Sequence, residues 1–256
     1  MKYIDSHAHY THRLFNKDRD EVISNLLKND VKAIVECGTN TKWNKEAINL
    51  AHRYDKVFAV IGYFPTDVKE LENLDNFNTF NKLLKDKKVI GLGEIGFDFH
   101  HQKDGLKIQE KYFRYQLEMA QNYNLPVCIH SREAEADTMR VLRDFGENRG
   151  IIHCYAYGPE NVQELVKLGY YFGVGGTSTY KSNSELREAI KEMPLNRILL
   201  ETDAPYLSPD VVRRNRNDSS HIIYVVKELS KLKGVPEDII IKRTNQNFID
   251  LYQKEV

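Results

Sequence analysis

The sequence predicts an α/β fold, a (β/α)8 TIM barrel in one domain over residues 1–256 with an extra C-terminal helix. Three observations lead to this prediction. Eight short apolar runs with strand character alternate with amphipathic helical stretches along the whole chain. Several of these runs end in ionisable residues, and the C-terminal ends of barrel strands are where catalytic groups lie. No linker, low-complexity tract or internal repeat interrupts the series.

The predicted strands are short runs rich in β-branched, aromatic and glycine residues, each bounded by turn or helix signals. In chain order they are YIDSHA, KAIVECG, VFAVIGY, VIGLGEIGF, PVCIHS, GIIHCY, YYFGVGG and RILLETDA.

The predicted helices carry apolar residues at three- and four-residue spacing. In chain order they are DEVISNLLKN, NKEAINLAHRY, QEKYFRYQLEMAQNY, EADTMRVLRDF, ENVQELVKLG and SELREAIKEM, with HIIYVVKELSKL and EDIIIKRTNQNFIDLY after the last strand. The stretch DNFNTFNKLLKD is ambiguous. A doubly wound open sheet also alternates strands and helices, but it gives little reason to end so many strands in ionisable residues.

Composition and charge limit the partners of the protein. Lysine plus arginine equals aspartate plus glutamate at 37 each, so nothing in the net charge draws the whole protein to nucleic acid or membrane. The chain starts without an apolar signal region and lacks the roughly 18 apolar residues of a membrane span. The three scattered cysteines suit reduced core thiols. We expect a cytoplasmic protein with no membrane contact and no obligate protein partner.

The first strand carries two histidines where a core strand carries apolar residues. Alternation along a strand places Tyr3, Asp5, His7 and His9 on one side. Two neutral imidazoles at adjacent positions of one face can bind a divalent ion. Hydrogen-bonded core histidines are the alternative interpretation.

Four later strands also end in metal-ligating residues. In GLGEIGFDF, Glu94 shares a face with Asp98 among small residues, and a carboxylate there is costly unless it is paired or bound to a metal. His130, His153 and Asp203 close the runs PVCIHS, GIIHCY and RILLETDA. Glu94 alone fits a structural ion pair as well as a ligand, and each histidine alone fits a satisfied core or rim residue better than a ligand.

Six groups that meet at one mouth of the barrel exceed the needs of one tetrahedral ion. They indicate two divalent ions that share a carboxylate, with Glu94 as the natural bridge and with Zn, Mg, Mn or Ni as candidates. Such a pair lowers the pKa of a water molecule and favours hydrolysis. Cys128 shares a face with His130, so a thiolate ligand is also conceivable.

Other catalytic classes find little support. The chain has no G-x-S-x-G elbow, no P-loop and no G-x-G-x-x-G at a strand–helix turn. The stretch GVGGTS at 173–178 is interpreted as a close backbone approach near the site or as plain barrel packing.

Taken in order, DSHAH, GEIGFD, PVCIHSREA, IIHCY and ETDAPYLSP resemble the TatD-type metal-dependent deoxyribonucleases of the amidohydrolase-like superfamily, over essentially the whole chain. The resemblance implies two ligand sets that share Glu94. One ion would be held by His7, His9, Glu94 and Asp203, and the other by Glu94, His130 and His153. The resemblance also implies that Asp203 is the base that takes the proton of the attacking water.

Substrate contacts are predicted at Arg132, Arg213 and Asn217. Arg132 follows His130 and suits a phosphate fork, with a rim salt bridge to Glu133 or Glu135 as the alternative. Arg213 and Asn217 match family positions in the loop DVVRRNRND, which is otherwise a solvated charged loop. Two further groups lie near strand ends. The loop histidines are expected to be solvated, and they are His12, His100 and His101. The aromatic residues are expected either to stack on bases or to seal the barrel top, and they are Tyr63, Phe97, Tyr155 and Tyr157.

Departures from the family pattern touch the substrate side. Phe64 stands where a histidine is usual, and Thr66 where another histidine is common. Arg214 replaces a usual glycine and Ser219 a usual proline. These changes leave the six ligand positions intact, so we expect hydrolysis to be retained and specificity to differ.

The residues and the resemblance together suggest three functions. The leading one is a two-metal deoxyribonuclease of the exonuclease type that acts on DNA, single-stranded or at an end. The alternative is hydrolysis of another ester or amide, in an acyl-tRNA or a small molecule. A catalytically silent, metal-bound binding protein is a minor third.

Overall fold

The computed structural model describes residues 1–103, 105–146 and 149–256. Eight strands form one parallel sheet in the order of the sequence, so each strand pairs with the next one along the chain. The strands are β1 Tyr3–Ala8, β2 Val31–Cys37, β3 Val57–Ile61, β4 Val89–Asp98, β5 Val127–Arg132, β6 Gly150–Ile152, β7 Tyr170–Val174 and β8 Ile198–Leu200.

Helices follow the strands and surround the sheet. They are α1 Arg19–Asn29, α2 Thr41–Arg53, α3 Leu74–Leu83, α4 Leu106–Tyr123, α5 Glu135–Phe145, α6 Val162–Lys167, α7 Ser184–Glu192, α8 Ile222–Lys233 and α9 Glu237–Tyr252. The predicted barrel and its additional C-terminal helix are thereby confirmed, while the single-domain organisation stays a prediction. The ambiguous stretch DNFNTFNKLLKD forms α3, where Asn73 caps the first turn by accepting from the amides of Asp75 and Asn76.

The sheet closes on itself where the first strand meets the last. The amide of His9 donates to the carbonyl of Ala204 at 2.7 Å, and the amide of Asp203 donates to the carbonyl of His7 at 3.0 Å. Candidate metal ligands therefore lie on both sides of this closure.

The end of the barrel opposite these residues is covered by α9. Phe248, Leu251 and Tyr252 belong to an apolar cluster to which all eight strands contribute. The side-chain amide of Asn245 donates to the carbonyl of Lys2 at 2.9 Å, at the start of β1. Helix α9 therefore forms the floor of the barrel, and the C-terminal strand ends form its open side.

Among the residues that the structure describes, no helix has the length and apolar character needed to cross a bilayer. The cytoplasmic location stays a prediction.

Candidate metal centre

A pocket of about 690 Å³ opens at the C-terminal ends of the strands. Five of the six predicted ligands line it, and the sixth, His7, lies at its base with no exposed surface. The lining ligands are His9, Glu94, His130, His153 and Asp203.

His7 and His9 face each other through their Nε2 atoms, which lie 3.1 Å apart. Oδ1 of Asp203 lies 3.6 Å from Nε2 of His7 and 3.3 Å from Nε2 of His9. Oε2 of Glu94 lies 3.7 Å and 3.6 Å from the same two nitrogens. Two nitrogens and two carboxylate oxygens thus converge on one point.

The other oxygen of Glu94 faces a second pair of histidines. Oε1 lies 3.1 Å from Nδ1 of His130 and 3.5 Å from Nε2 of His153. Glu94 therefore stands between two histidine pairs and turns one oxygen toward each. Nitrogen and oxygen ligands in this combination suit Zn²⁺, Mn²⁺ or Ni²⁺ better than Mg²⁺, which prefers an all-oxygen shell.

The electrostatics of the cluster depend on burial. Burial lowers the pKa of His7 well below its ordinary value. Burial opposes charge on His9 too, but the hydrogen bond and negative charge of Asp203 raise the pKa of His9 to about 9. Burial would raise the pKa of Glu94, yet His7 and the neighbouring rings hold it well below its usual range. Histidine binds a metal ion through its neutral ring, so metal binding and proton release are coupled at this site.

Asp203 occupies an uncommon backbone conformation. Its φ is 57°, in the left-handed region that aspartate tolerates better than most residues. The bond from its amide to His7 fixes it on one side, and its carbonyl accepts from the amide of Tyr206 at 2.8 Å on the other. This conformation, about 1–3 kcal/mol above the common ones, brings the carboxylate back over the barrel mouth.

Hydrogen bonds behind the ligands orient their rings. Nδ1–H of His9 donates to the carbonyl of Cys37 at 3.0 Å, which leaves Nε2 of His9 to face the site. Asp98 Oδ2 lies 3.2 Å from Nε2 of His130. The sequence places Asp98 on the face of Glu94, but nothing in the pattern reveals this supporting role.

Glu201 is a further supporting carboxylate that sequence reasoning missed. Its Oε1 lies 3.1 Å from Nδ1 of His153 and accepts from the amide of Cys154 at 2.7 Å. Burial opposes charge on His153, but Glu201 raises its pKa well above the usual value. A Cβ at Gly173 would lie 2.2 Å from Oε2 of Glu201. In the stretch GVGGTS, Gly173 therefore allows the Glu201 side chain to approach the backbone closely. The sequence signal that could have pointed to Glu201 is its position two residues before the predicted ligand Asp203.

Cys128 lies behind a ligand. Its Sγ is 3.4 Å from Nδ1 of His7, and Sγ of Cys37 is 3.3 Å from the same atom. Both thiols contact the side of the His7 ring opposite the Nε2 that faces the site. The thiolate-ligand alternative for Cys128 is therefore not supported, because His7 stands between it and the pocket.

Asp5 does not join the histidines on its predicted face. Its buried carboxylate accepts from the hydroxyls of Thr202 at 2.7 Å and Ser219 at 2.6 Å. The pairing of β1 with β2 shifts register between Asp5 and Ala8, which interrupts the alternation. Asp5 instead ties β1 to the loop after β8.

Of the two roles left open for the aromatic residues near strand ends, the structure supports sealing of the barrel top. All four are buried, with between 0% and 5% of their surface exposed, so no base can reach their faces: Tyr63, Phe97, Tyr155 and Tyr157. Of the loop histidines, His12 and His101 line the pocket, while His100 pairs with Glu133 at 2.7 Å.

Arg132 is exposed and lines the pocket. Its alternative role was a salt bridge to Glu133 or Glu135, but Glu133 pairs with His100 and Glu135 accepts from Asn161. Within residues 1–103, 105–146 and 149–256, the guanidinium of Arg132 has no hydrogen-bond or ion-pair partner. It is free to bind an anion.

The structure places the other two predicted substrate residues away from the pocket lining. Arg213 stacks over the Tyr180 ring at 4.1 Å and lies 3.4 Å from Asp210. Asn217 is fully buried, and its Nδ2 donates to the carbonyls of Thr202 at 2.9 Å and Tyr206 at 2.7 Å. Direct substrate contact therefore does not fit Asn217, because its amide is used to hold the loop after β8.

The wall beside the second histidine pair is apolar. The ring of Phe64 lies 4.5 Å from the ring of His130, and Phe64 and Trp43 both line the pocket. Leu207 lies on the lining as well. The pocket therefore combines a polar floor with an apolar wall, as binding sites for small organic groups do.

Eight parallel strands and a cluster of histidines and carboxylates at the barrel mouth are typical of a metal-dependent hydrolase of the barrel class. Comparison with known proteins agrees. The family model described as TatD related DNase matches residues 4–253. YabD of Bacillus subtilis, an uncharacterized metal-dependent hydrolase, is 33% identical over 97% of this chain and 98% of its own length.

Two further relatives extend the comparison. The 3'-5' ssDNA/RNA exonuclease TatD of Citrobacter koseri is 28% identical over 97% of this chain and 98% of its own. The crystal structure of YJJV, a TatD homologue from Escherichia coli, superposes with a TM-score of 0.91 at 26% identity, covering 99% of this chain and 98% of that one. This chain belongs to the TatD related DNase family.

Proposed function

We propose that this protein is a two-metal phosphodiesterase that removes nucleotides from an end of a DNA strand. The observation that carries the proposal is the placement of Glu94, whose two oxygens face different histidine pairs at 3.1–3.7 Å. The name of the Citrobacter relative, an ssDNA/RNA exonuclease, supports the choice of a nucleic-acid substrate.

The ligands divide into two sets in this proposal. His7, His9, Glu94 and Asp203 would hold one ion, and Glu94, His130 and His153 the other. When bound, such a pair of ions polarises a phosphoryl group and makes water a better nucleophile at neutral pH.

The remaining chemistry belongs to two side chains at the mouth. The carboxylate of Asp203, with 16% of its side chain exposed, faces the pocket and takes the proton of the attacking water. The free guanidinium of Arg132 binds a phosphate oxygen and orients the phosphodiester.

The shape of the pocket supports action at an end of a strand. A volume of about 690 Å³ with a closed floor accommodates a nucleotide or two rather than a duplex. Among the described residues that line it, Arg132 is the single arginine, and no lysine lines it. A pocket with one arginine can bind only few phosphates, which suits a terminal nucleotide that is unstacked from its neighbours.

The test is release of nucleotides from single-stranded DNA labelled at its 3′ or 5′ end. Chelator-treated protein is assayed with Mg²⁺, Mn²⁺ or Zn²⁺ restored, beside Asp203→Asn and the exposed control Asp75→Asn on α3. We expect metal-dependent release that falls by about 100- to 10,000-fold in Asp203→Asn and is unchanged in the control. The label that is released first gives the polarity. Absence of release with any metal would refute the proposal.

A second candidate rests on the apolar wall. Phe64, Trp43 and Leu207 present little to a phosphate and would accommodate the acyl group of an aminoacyl ester or another small ester or amide. Hydrolysis of aminoacyl-tRNA or lactone substrates at rates above those on DNA would favour this candidate. Metal-dependent stabilisation with no turnover on either class would instead indicate a binding protein.

A further inference from the structure

Tyr206 presents its ring to solvent at the rim of the metal pocket. It lines the pocket and retains 48% of its surface, although it is a large aromatic residue. Its hydroxyl has no hydrogen-bond partner among the described residues. Neither burial nor hydrogen bonding therefore explains an aromatic side chain at this position.

The turn that carries Tyr206 is held at several points. The amide of Tyr206 donates to the carbonyl of Asp203 at 2.8 Å, and its carbonyl accepts from Nδ2 of the buried Asn217 at 2.7 Å. The amide of Asn217 donates to the carbonyl of Pro205 at 3.1 Å. The backbone under the exposed ring is thus fixed to the same element that carries Asp203, so little backbone entropy would be lost when a ligand packs on the ring.

Two imidazoles lie beside the ring. The Tyr206 ring is 5.4 Å from that of His12 and 6.4 Å from that of His9. Nδ1 of His12 accepts from the amide of Leu14 at 3.3 Å, so a neutral His12 carries its proton on Nε2.

Arg13, the residue after His12 in the chain, adds an exposed positive charge next to this rim. Its guanidinium is exposed and has no partner in the part of the chain that the structure describes. Burial and the charge of Arg13 both lower the pKa of His12, and Arg13 also opposes the rise in the pKa of Tyr206 that burial and Asp203 cause. Arg13 directly follows His12, which lines the pocket, so its backbone is placed next to this rim.

We propose that Tyr206 is the stacking platform for the base adjoining the nucleotide that is hydrolysed, and that Arg13 binds the phosphate beyond that base. This inference rests on the proposed function and assigns it a subsite. An exposed, rigid aromatic ring stacks on any base, because every base has a π-face. Leu207 and Val211, with 36% and 76% of their surfaces exposed, extend the apolar rim on the same loop.

The test compares two single-stranded oligonucleotides that differ only at the position next to the terminal nucleotide. One carries a normal base there and the other an abasic residue. They are assayed with wild-type protein, with Tyr206→Leu and with Tyr206→Phe, which keeps the ring and serves as the matched control. We expect wild type and Tyr206→Phe to hydrolyse the normal strand with a kcat/KM about tenfold higher than the abasic strand. Tyr206→Leu should show no preference.

Arg13→Met gives the second arm of the test. It should lower kcat/KM on both strands alike and make the salt dependence shallower, because it removes a phosphate contact and no base contact. The stacking assignment would be overturned if wild type hydrolysed the two strands at equal rates, or if Tyr206→Leu still preferred the normal strand over the abasic one. In either case, hydrolysis by wild type would still support the proposed function. No hydrolysis of either strand by wild type would overturn the proposed function and the subsite with it.

Discussion

Glu201 and His153 form a buried carboxylate–imidazole pair in which Oε1 lies 3.1 Å from Nδ1. Nε2 of the same ring faces Glu94 at 3.5 Å, on the side of the metal centre. Glu201 has 1% of its side chain exposed, so it cannot reach solvent or substrate. We expect it to orient His153 and to increase the basicity of the nitrogen that faces the site.

Glu201→Gln should weaken metal binding by about 10- to 100-fold, because loss of such a supporting carboxylate reduces ligand basicity and order. Competition against a chromogenic chelator measures the affinity directly, without reference to turnover. Glu228→Gln on α8, where the native carboxylate pairs with Arg187, is the control and should bind metal as wild type does. An unchanged affinity in Glu201→Gln would leave Glu201 as a packing residue.

The position of Glu94 between two histidine pairs predicts a stoichiometry of metal binding. Wild-type protein should bind two divalent ions per chain, and His130→Ala should bind one, since the set that contains His7 and His9 stays complete. His52→Ala is the control, because His52 pairs with Asp86 on the surface. Elemental analysis after dialysis counts the ions. Two ions in His130→Ala, or one in wild type, would contradict the two-site assignment.

Arg132 is predicted to bind a phosphate. Arg132→Met should raise KM for single-stranded DNA and reduce the salt slope by about 0.7, the contribution of one phosphate contact to a single strand. Lys167→Met, at the C-terminal end of α6, removes a charge at a helix end distant from the mouth and is the control. A KM and a salt slope equal to those of wild type would exclude the contact.

The acidic stability of the protein should depend on Glu110. Both oxygens accept from Arg140, at 2.8 and 2.7 Å, and these bonds, with those of Arg114, lower the pKa of Glu110 from 4.5 to about 2. Because the folded state prefers the ionised form, the stabilisation is complete above pH 4.5 and is lost as the pH falls from 4.5 toward 2.

Glu110→Gln should therefore lower the free energy of unfolding by about 1 kcal/mol at pH 7, with a smaller difference at pH 3. Urea denaturation at the two pH values measures it. Glu118→Gln, an exposed position on the same helix, should have little effect at either pH. A difference that does not shrink at pH 3 would show that the ion pairs are not its cause.

The floor of the barrel should be a major source of stability. Phe248 is fully buried in the cluster that joins α9 to the strands. Phe248→Ala should lower the free energy of unfolding by about 3–5 kcal/mol through lost apolar burial and a residual cavity. Ile239→Ala, at a site with 43% of its surface exposed on the same helix, should cost much less. If the two variants lost similar amounts of unfolding free energy, Phe248 would not be a main contact between α9 and the floor of the barrel.

Much of the fold could be predicted because strand and helix periodicities differ and alternate along the chain. The site was predictable to the extent that its ligands lie in strands or directly after them, as Glu94, His130 and His153 do. What the sequence could not reveal is where irregular backbone directs a side chain. Asp5 leaves the face of His7 because the register of β1 shifts, and Asn217 lies under its loop because that loop needs an amide donor.

The supporting carboxylates were missed for a related reason. Asp98 and Glu201 are visible in the sequence as acidic residues near strand ends. Metal-ligating carboxylates also lie near strand ends, so periodicity cannot distinguish a ligand from a residue that supports a ligand. Only the distances from Glu201 to His153 and from Asp98 to His130 assign them.

The closure between the first and last strands has a consequence for how the protein holds together. Thr202 and His7, which are in contact there, stand 195 positions apart in the chain, so bringing them together carries a large loop-closure entropy. An ion held by His7 and His9 at the end of β1 and by Asp203 after β8 would link the two sides of that junction. Hydrogen exchange at the amides of His9 and Asp203 should slow when the ion binds, since opening the barrel would then require releasing it.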